Sequence, residues 1–294
     1  MRHVRGLLKT IAYPLLYLFV SFVVTIPFMV LSAFPVIEEL SAGGTLDIAE
    51  LTRKIAESFD VGLITIISAV VTFLIMLLVL HKEWRHRSFW GISRIYKPGV
   101  NILLTVILAL VFQVFLETFF LYTGLSDKFA ETSELLEGLL TGGNPVFMII
   151  GVGLCAPFIE ELLLRGMAFD RARKWLNLPA ALIIQAFLFA LMHGNLFQGS
   201  YALFLGVLLC LIMLWSNSIW IPIIFHIVFN STSSVLSLMA PSDVQLNGTL
   251  GTILLIASGL FTIACIVALY LNRDPNKYHF ADTSEIKFKP DLMH

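Results

Sequence analysis

Six residues in the second half of this 294-residue chain combine types and spacings that could do chemistry: Glu160, Glu161, Arg165, His193, His226 and Asn230. A carboxylate and two imidazoles can take and give protons, as in a general-base hydrolase or a proton relay. The trio Glu160, His193 and His226 also has the composition of a His₂Glu zinc site. Glu161 and Arg165 stand i,i+4 and can pair along one helix face, as can His226 and Asn230, which could address one bound group together. Glu160 and Glu161 are adjacent and point about 100° apart on a helix, so one faces a site while the other holds Arg165. Phe189 and His193 share a face in the same way, placing the ring against the imidazole.

The surrounding sequence makes these residues unusual. Hydrophobic residues form 58% of the chain and charged residues only 13%, about half the charge of a soluble domain, and mean hydropathy is +0.88. A membrane-crossing helix needs about 20 apolar residues. Such segments run over 11–34, 61–80, 100–123, 145–170, 180–199, 201–216, 219–239 and 250–271. The expected architecture is therefore all-α: a polytopic membrane bundle of about eight transmembrane helices. The first segment is too long for a signal-peptide core and lacks a small-residue cleavage site after it, so it is expected to be a true span. Pro14, Pro27, Pro157 and Pro222 lie inside spans, where neighbouring helices can satisfy the backbone groups they free.

Charge placement sets the expected sidedness. Segments 2–9, 82–97, 165–174 and 273–289 hold 16 of the 19 Lys and Arg residues, leaving Arg53, Lys54 and Lys128 on the other face. The positive-inside rule then puts both termini in the cytoplasm. Acidic outer loops are expected over 38–60 and 127–137. The basic, Trp-bearing stretch from His81 to Lys97 reads as an interfacial segment on anionic lipid, and no nucleic-acid partner is expected. Cys155, Cys210 and Cys265 are scattered in apolar stretches and read as small core residues.

Depth links the six polar residues. Ionisable groups at membrane depth are costly and point to function. Glu160 and His193 are 33 residues apart, with the midpoint at the turn signal Asn177-Leu178-Pro179, so an antiparallel hairpin puts them at one height. Glu160 is ten residues inside Asp170, and His226 about ten inside the turn at Ser216-Asn217-Ser218, each ~15 Å deep. Three spans thus deliver a carboxylate and two imidazoles to one level. Pro157, Gly151 and Gly153 would allow a kink and close helix approach.

Taken in order on separate spans, Glu160-Glu161-x-x-x-Arg165, Phe189-x-x-x-His193 and His226-x-x-x-Asn230 resemble the type II CAAX prenyl endopeptidase family, also called the Abi, CAAX-protease and bacteriocin-processing (CPBP) family. The likeness covers about 145–240. It implies an intramembrane endopeptidase that cuts a peptide near its C-terminus within an eight-helix bundle opening to the cytoplasm. By motif, Glu160 would activate water with help from His193, His226 and Asn230 would stabilise the oxyanion, and Glu161 and Arg165 would support the site. Zinc held by His193, His226 and Glu160 stays an open alternative; asparagine is an uncommon zinc ligand and no His-Glu-x-x-His motif occurs, which favours a glutamate mechanism. Neither a Gly-x-Ser-Gly nor a Gly-x-Gly-Asp motif is present.

Other residues carry ordinary explanations. Gln113 and Glu117 read as a packing pair, and Asn101, Gln185, Asn195 and Gln198 as structural. A silent scaffold, such as an immunity or signalling partner, would not need the full polar set. A proton-coupled transporter would be expected to show an inverted repeat. The organisation expected is residues 1–144 as the first three spans and basic loop, 145–240 as the catalytic core, and 241–294 as the last span and tail. The expected partners are membrane lipid and a peptide or lipidated-protein substrate, and the expected location is a prokaryotic plasma membrane.

Overall fold

The computed structural model describes residues 2–41, 54, 59–79, 95–141, 143–239 and 248–275, and every regular element among them is helical. The helices are α1 (Arg2–Ser41), α2 (Val61–Val79), α3 (Pro98–Thr123), α4 (Ala130–Thr141), α5 (Pro145–Ala172), α6 (Leu178–Met192), α7 (Leu196–Ser216), α8 (Trp220–Met239) and α9 (Gly248–Leu271). A single turn, Leu125–Lys128, joins α3 to α4. Of the expected features, the basic stretch up to Arg94, most of the first acidic loop and the tail beyond 275 lie outside the described residues. Part of the second acidic segment is helical, in α4.

Seven of these helices, α1 to α3, α5 and α7 to α9, are long and apolar enough to cross a membrane. The outer faces of α1 and α9 leave Phe19, Phe22, Leu31, Leu260, Phe261 and Ile263 exposed. Such faces suit lipid rather than water. The chain is a multi-pass integral membrane protein.

The fifth expected span, 180–199, is corrected. The helix there ends at Met192, and α6 has 15 residues, about 22 Å, short of the ~30 Å hydrocarbon layer. The apolar run hides a turn. Gly194 takes a left-handed conformation (φ 70°), and the Asn195 side chain caps α7 by accepting from Gln198 N at 2.8 Å. Residues 196–199 therefore begin the next helix. Elsewhere the punctuation acts as read. Asn177 caps α6 by accepting from Ala180 N at 3.0 Å, with Pro179 in the first turn, and Asn217 (φ 55°) turns the chain between α7 and α8.

The centre of the bundle is α5, against which α1, α2, α6 and α8 pack. Every residue from Glu161 to Phe169 is buried, as expected of a helix surrounded by others. It is not a regular α-helix: π-helical segments Ile149–Cys155 and Leu162–Phe169 flank the α-helical Ala156–Glu161. Glycines let the neighbours reach it. A Cβ on Gly151 would lie 2.3 Å from Gly62 O, and one on Gly153 would lie 2.7 Å from Ser231 Oγ. Gly151 and Gly153 thus permit close approach to α2 and α8, as expected.

Gly151→Val should lower the stability of the detergent-solubilised protein by at least ~2 kcal/mol, the cost of overpacking. Gly99→Ala, where an added methyl meets nothing within 4 Å, should be neutral within ~0.5 kcal/mol. Comparable loss in the two variants would refute the close-approach account.

Candidate functional site

Glu160, Glu161 and, through Glu161, Arg165 meet around one imidazole, His226, on the face of α8 turned to α5. Its Nδ1 lies 2.9 Å from Glu161 Oε1 and its Nε2 lies 3.8 Å from Glu160 Oε2. The same Glu161 oxygen accepts from Arg165 Nη1 at 2.7 Å. Glu161 therefore holds both Arg165, as expected, and His226, which the spacing alone did not suggest. The two acids do not serve separate ends of the site; they address opposite nitrogens of one ring.

Proton positions follow from the partners. An ion-paired carboxylate accepts hydrogen bonds, so His226 Nδ1 donates to Glu161 and Nε2 is the atom left facing Glu160. At His193, Nδ1 lies 3.0 Å from Phe189 O. A carbonyl can only accept, so Nδ1 donates there and Nε2 of the neutral ring keeps its lone pair.

His193 is not in mid-span. It occupies the C-terminal end of α6, immediately before the Gly194 turn. Asn195 Nδ2 donates to its carbonyl at 3.0 Å and to Gln198 Oε1 at 2.8 Å, so two residues expected to be merely structural brace the turn that presents it.

Phe189 ties the two imidazoles together. Its fully buried ring stands edge-on to His193 (centroids 5.0 Å apart) and to His226 (5.5 Å), and the Arg165 guanidinium lies 4.7 Å from its centre. The guanidinium's second arm, Nη2, donates to Gly206 O at 3.2 Å, a carbonyl that Gln185 Nε2 also reaches at 2.9 Å. Arg165 is thus anchored by a carboxylate, a carbonyl and an aromatic face, which the planar fork of arginine can do and a lysine cannot.

Asn230 is positioned by a proline on another helix. Pro157 has no N–H, so carbonyls one turn before it on α5 lose their usual donor. In the π register there, Ala156 N donates to Gly151 O, five residues back; the corresponding partner for Pro157 is Val152 O. Asn230 Nδ2 donates to Val152 O at 3.2 Å and Ser231 Oγ to Gly153 O at 3.2 Å. One amide hydrogen of Asn230 is spent this way and the other remains for a ligand.

Exposure sorts the residues. Glu161, Arg165, Phe189 and His226 are buried, while Glu160, His193 and Asn230 keep partial access. Sequence reasoning missed Tyr17 of α1, a buried phenol in one core cluster with Ile159 and Leu163 of α5; a tyrosine in an apolar span gives no signal of its own. It also missed Ser231, whose hydroxyl gained meaning only from the π-helical turn opposite. Gln113 and Glu117 pair as expected, Nε2 to Oε1 at 2.8 Å.

Among the described residues, no three His, Cys, Asp or Glu side chains converge where they could hold a metal ion. As they stand, Glu160, His193 and His226 do not form a His₂Glu centre, and no step below passes through a metal.

Residues 142–232 match the model of the family described as Type II CAAX prenyl endopeptidase Rce1-like. The match covers a little under a third of the chain and contains all three motifs from which the resemblance was read. No curated protein and no solved structure matches the chain.

Removing one partner of the buried pair should be far worse than removing both. Arg165→Met should cost ~3–5 kcal/mol by stranding Glu161 in a dry core, and adding Glu161→Gln should recover more than 1 kcal/mol of that loss. The exposed Lys174–Asp170 pair, 3.6 Å apart, should show a coupling below ~1 kcal/mol in the same double-mutant cycle. Additive effects of Arg165→Met and Glu161→Gln in equilibrium unfolding would contradict the shared-carboxylate arrangement.

Proposed function

We propose that this protein is an intramembrane endopeptidase that hydrolyses a peptide bond near the C-terminus of a membrane-associated or lipidated substrate. One observation carries the reading: His226 is tethered through Nδ1 to Glu161, leaving its Nε2 3.8 Å from a partly accessible carboxylate, Glu160, while His193, tethered through Nδ1 to Phe189 O, shares the Phe189 ring with it. An oxygen hydrogen-bonded at ~2.8 Å to both Glu160 Oε2 and His226 Nε2 can sit at the apex of their 3.8 Å separation.

In this mechanism Glu160, with the His193 lone pair orienting the water, takes a proton as the water oxygen bonds to the scissile carbonyl carbon. The carbonyl oxygen gains the electron pair and is met by His226, which in this mechanism is an imidazolium between Glu161 and Glu160 and donates from its second N–H at Nε2, and by the spare Asn230 amide hydrogen. The C–N bond then breaks, and the proton held by Glu160 passes to the departing amine. Glu161 and Arg165 touch no reacting atom; they fix the His226 ring. Donors placed where charge develops supply much of the catalysis of acyl transfer. The matched family segment supports this chemistry, and the membrane bundle supports a substrate held at the lipid boundary.

The test is cleavage of quenched peptides, with and without a C-terminal lipid, by purified protein. Glu160→Gln should lose activity at least ~100-fold and His193→Ala ~100-fold, the span of general-base contributions. Asn230→Ala should lose ~100-fold in kcat with little change in KM, as for a lost oxyanion donor. A chelator should leave the wild-type rate unchanged. Cleavage that survives Glu160→Gln would sink the site assignment, and inhibition reversed by added zinc would sink the metal-free mechanism.

A further inference from the structure

One face of α8 changes character at the site. His226, Asn230, Ser233 and Ser237 follow one another at intervals of four, three and four residues, so they lie along a single stripe of the helix. Beyond His226 this stripe is polar, and Asn230, Ser233 and Ser237 are all half-buried. In the other direction it continues through Ile223, Pro222 and, just before the helix, Ile219, which are apolar and buried. Helix α5 repeats the contrast. Every residue from Glu161 to Phe169 is buried, and Leu162, Leu163 and Met167 join Ile219 and Ile223 in one packed cluster. That cluster separates the site from the end of α5 where Arg171, Arg173 and Lys174 lie.

The opposite side suits water. Because α6 stops at Met192, the turn after it lies inside the bundle, and its Gly194 is exposed. Non-helical backbone at membrane depth persists only where it is buried in protein or lines a water-filled cavity. Helix α4 packs on α8 on this side, and Phe129, just before α4, meets Phe197 of α7 with ring centroids 5.6 Å apart. Segment 127–137 carries four acids and one lysine, so charged chain rather than lipid tails borders the far end of the stripe. Charge placement then names the two faces. The basic end of α5 is cytoplasmic by the positive-inside rule, so the polar stripe of α8 leads to the outer face. This is the reverse of the cytoplasmic opening that the family resemblance implies.

We propose that Glu160 is reached from the non-cytoplasmic face of the membrane, through a water-lined recess that follows Asn230, Ser233 and Ser237 past the α6–α7 turn. The packed cluster around Leu163 and Ile223 closes the cytoplasmic side. The substrate is then a peptide presented on the outer face, as an exported chain is, and not a cytoplasmic tail; this last step rests on the endopeptidase reading, whereas the recess does not.

The test is thiol labelling in sealed membrane vesicles, right-side-out and inverted, with a charged, membrane-impermeant methanethiosulfonate. The free cysteines Cys155, Cys210 and Cys265 are first replaced by alanine, and single cysteines are introduced as Ser233→Cys, Ser237→Cys, Val235→Cys or Lys174→Cys. Ser233→Cys and Ser237→Cys should react in right-side-out vesicles, and Lys174→Cys only in inverted ones. Val235 is 38% exposed on the opposite face of α8; both serine positions should react about tenfold faster than Val235→Cys or more, because a thiol in apolar surroundings stays protonated. Two stripe positions are used so that one poorly folded variant does not decide the result. Reaction of the serine positions only in inverted vesicles, reaction from the same face as Lys174→Cys, or reaction no faster than Val235→Cys would each overturn the recess. Cleavage is not read here, so failure of this test leaves the endopeptidase reading standing, and cleavage surviving Glu160→Gln would leave the recess standing.

Discussion

A carboxylate buried in a membrane protein must be matched by charge and hydrogen bonds, because neither water nor lipid can satisfy it there. Glu161 is fully buried and meets the charge demand through one oxygen that accepts from both Arg165 and His226, while its other oxygen has no hydrogen-bond partner among the described residues. Much else follows from that double use. Arg165 must lie flat enough to reach Gly206 O and the Phe189 ring, which draws α6 and α7 onto α5. His226 must present Nδ1 to α5, which turns its Nε2 towards Glu160. The ion pair contributes less through net stability, since a buried pair scarcely offsets its desolvation, than through fixing where an imidazole points.

The second constraint is the irregular backbone of α5. Two π-helical segments bracket the turn that carries Glu160 and Glu161, and such segments recur at functional sites. Pro157 removes a donor, the acceptor it frees, Val152 O, takes Asn230 from α8, and the next carbonyl, Gly153 O, takes Ser231. Glycines at the crossings with α2 and α8 permit the close backbone contact this needs. A residue that would weaken an isolated helix thereby fixes the register between two helices.

Much of this was legible in the sequence because bilayer thickness imposes a length on every span. The all-helical bundle, most span boundaries and the common depth of Glu160 and His226 could be counted from apolar runs and turn residues. What could not be counted was set by tertiary contacts. The turn at Gly194 lies in a continuous apolar run, and only its left-handed backbone and the Asn195 cap show that α6 stops short. The bond from Glu161 to His226 spans 65 residues, and nothing in either local motif announces it. Tyr17 and Ser231 are ordinary in their own helices and acquire neighbours only through packing.

The central claim is that both site imidazoles are held by Nδ1–H, with Nε2 turned to the reacting group. Nitrogen-15 NMR of histidine-labelled protein measures this directly, with resonances assigned by the His193→Gln and His226→Gln variants among seven histidines. The account predicts a protonated Nδ1 at both residues, with His193 Nε2 bare, and loss of the His226 Nδ1 signal's hydrogen-bonded shift in Glu161→Gln. A bare Nδ1 at His226, or a His226 spectrum indifferent to Glu161, would contradict it.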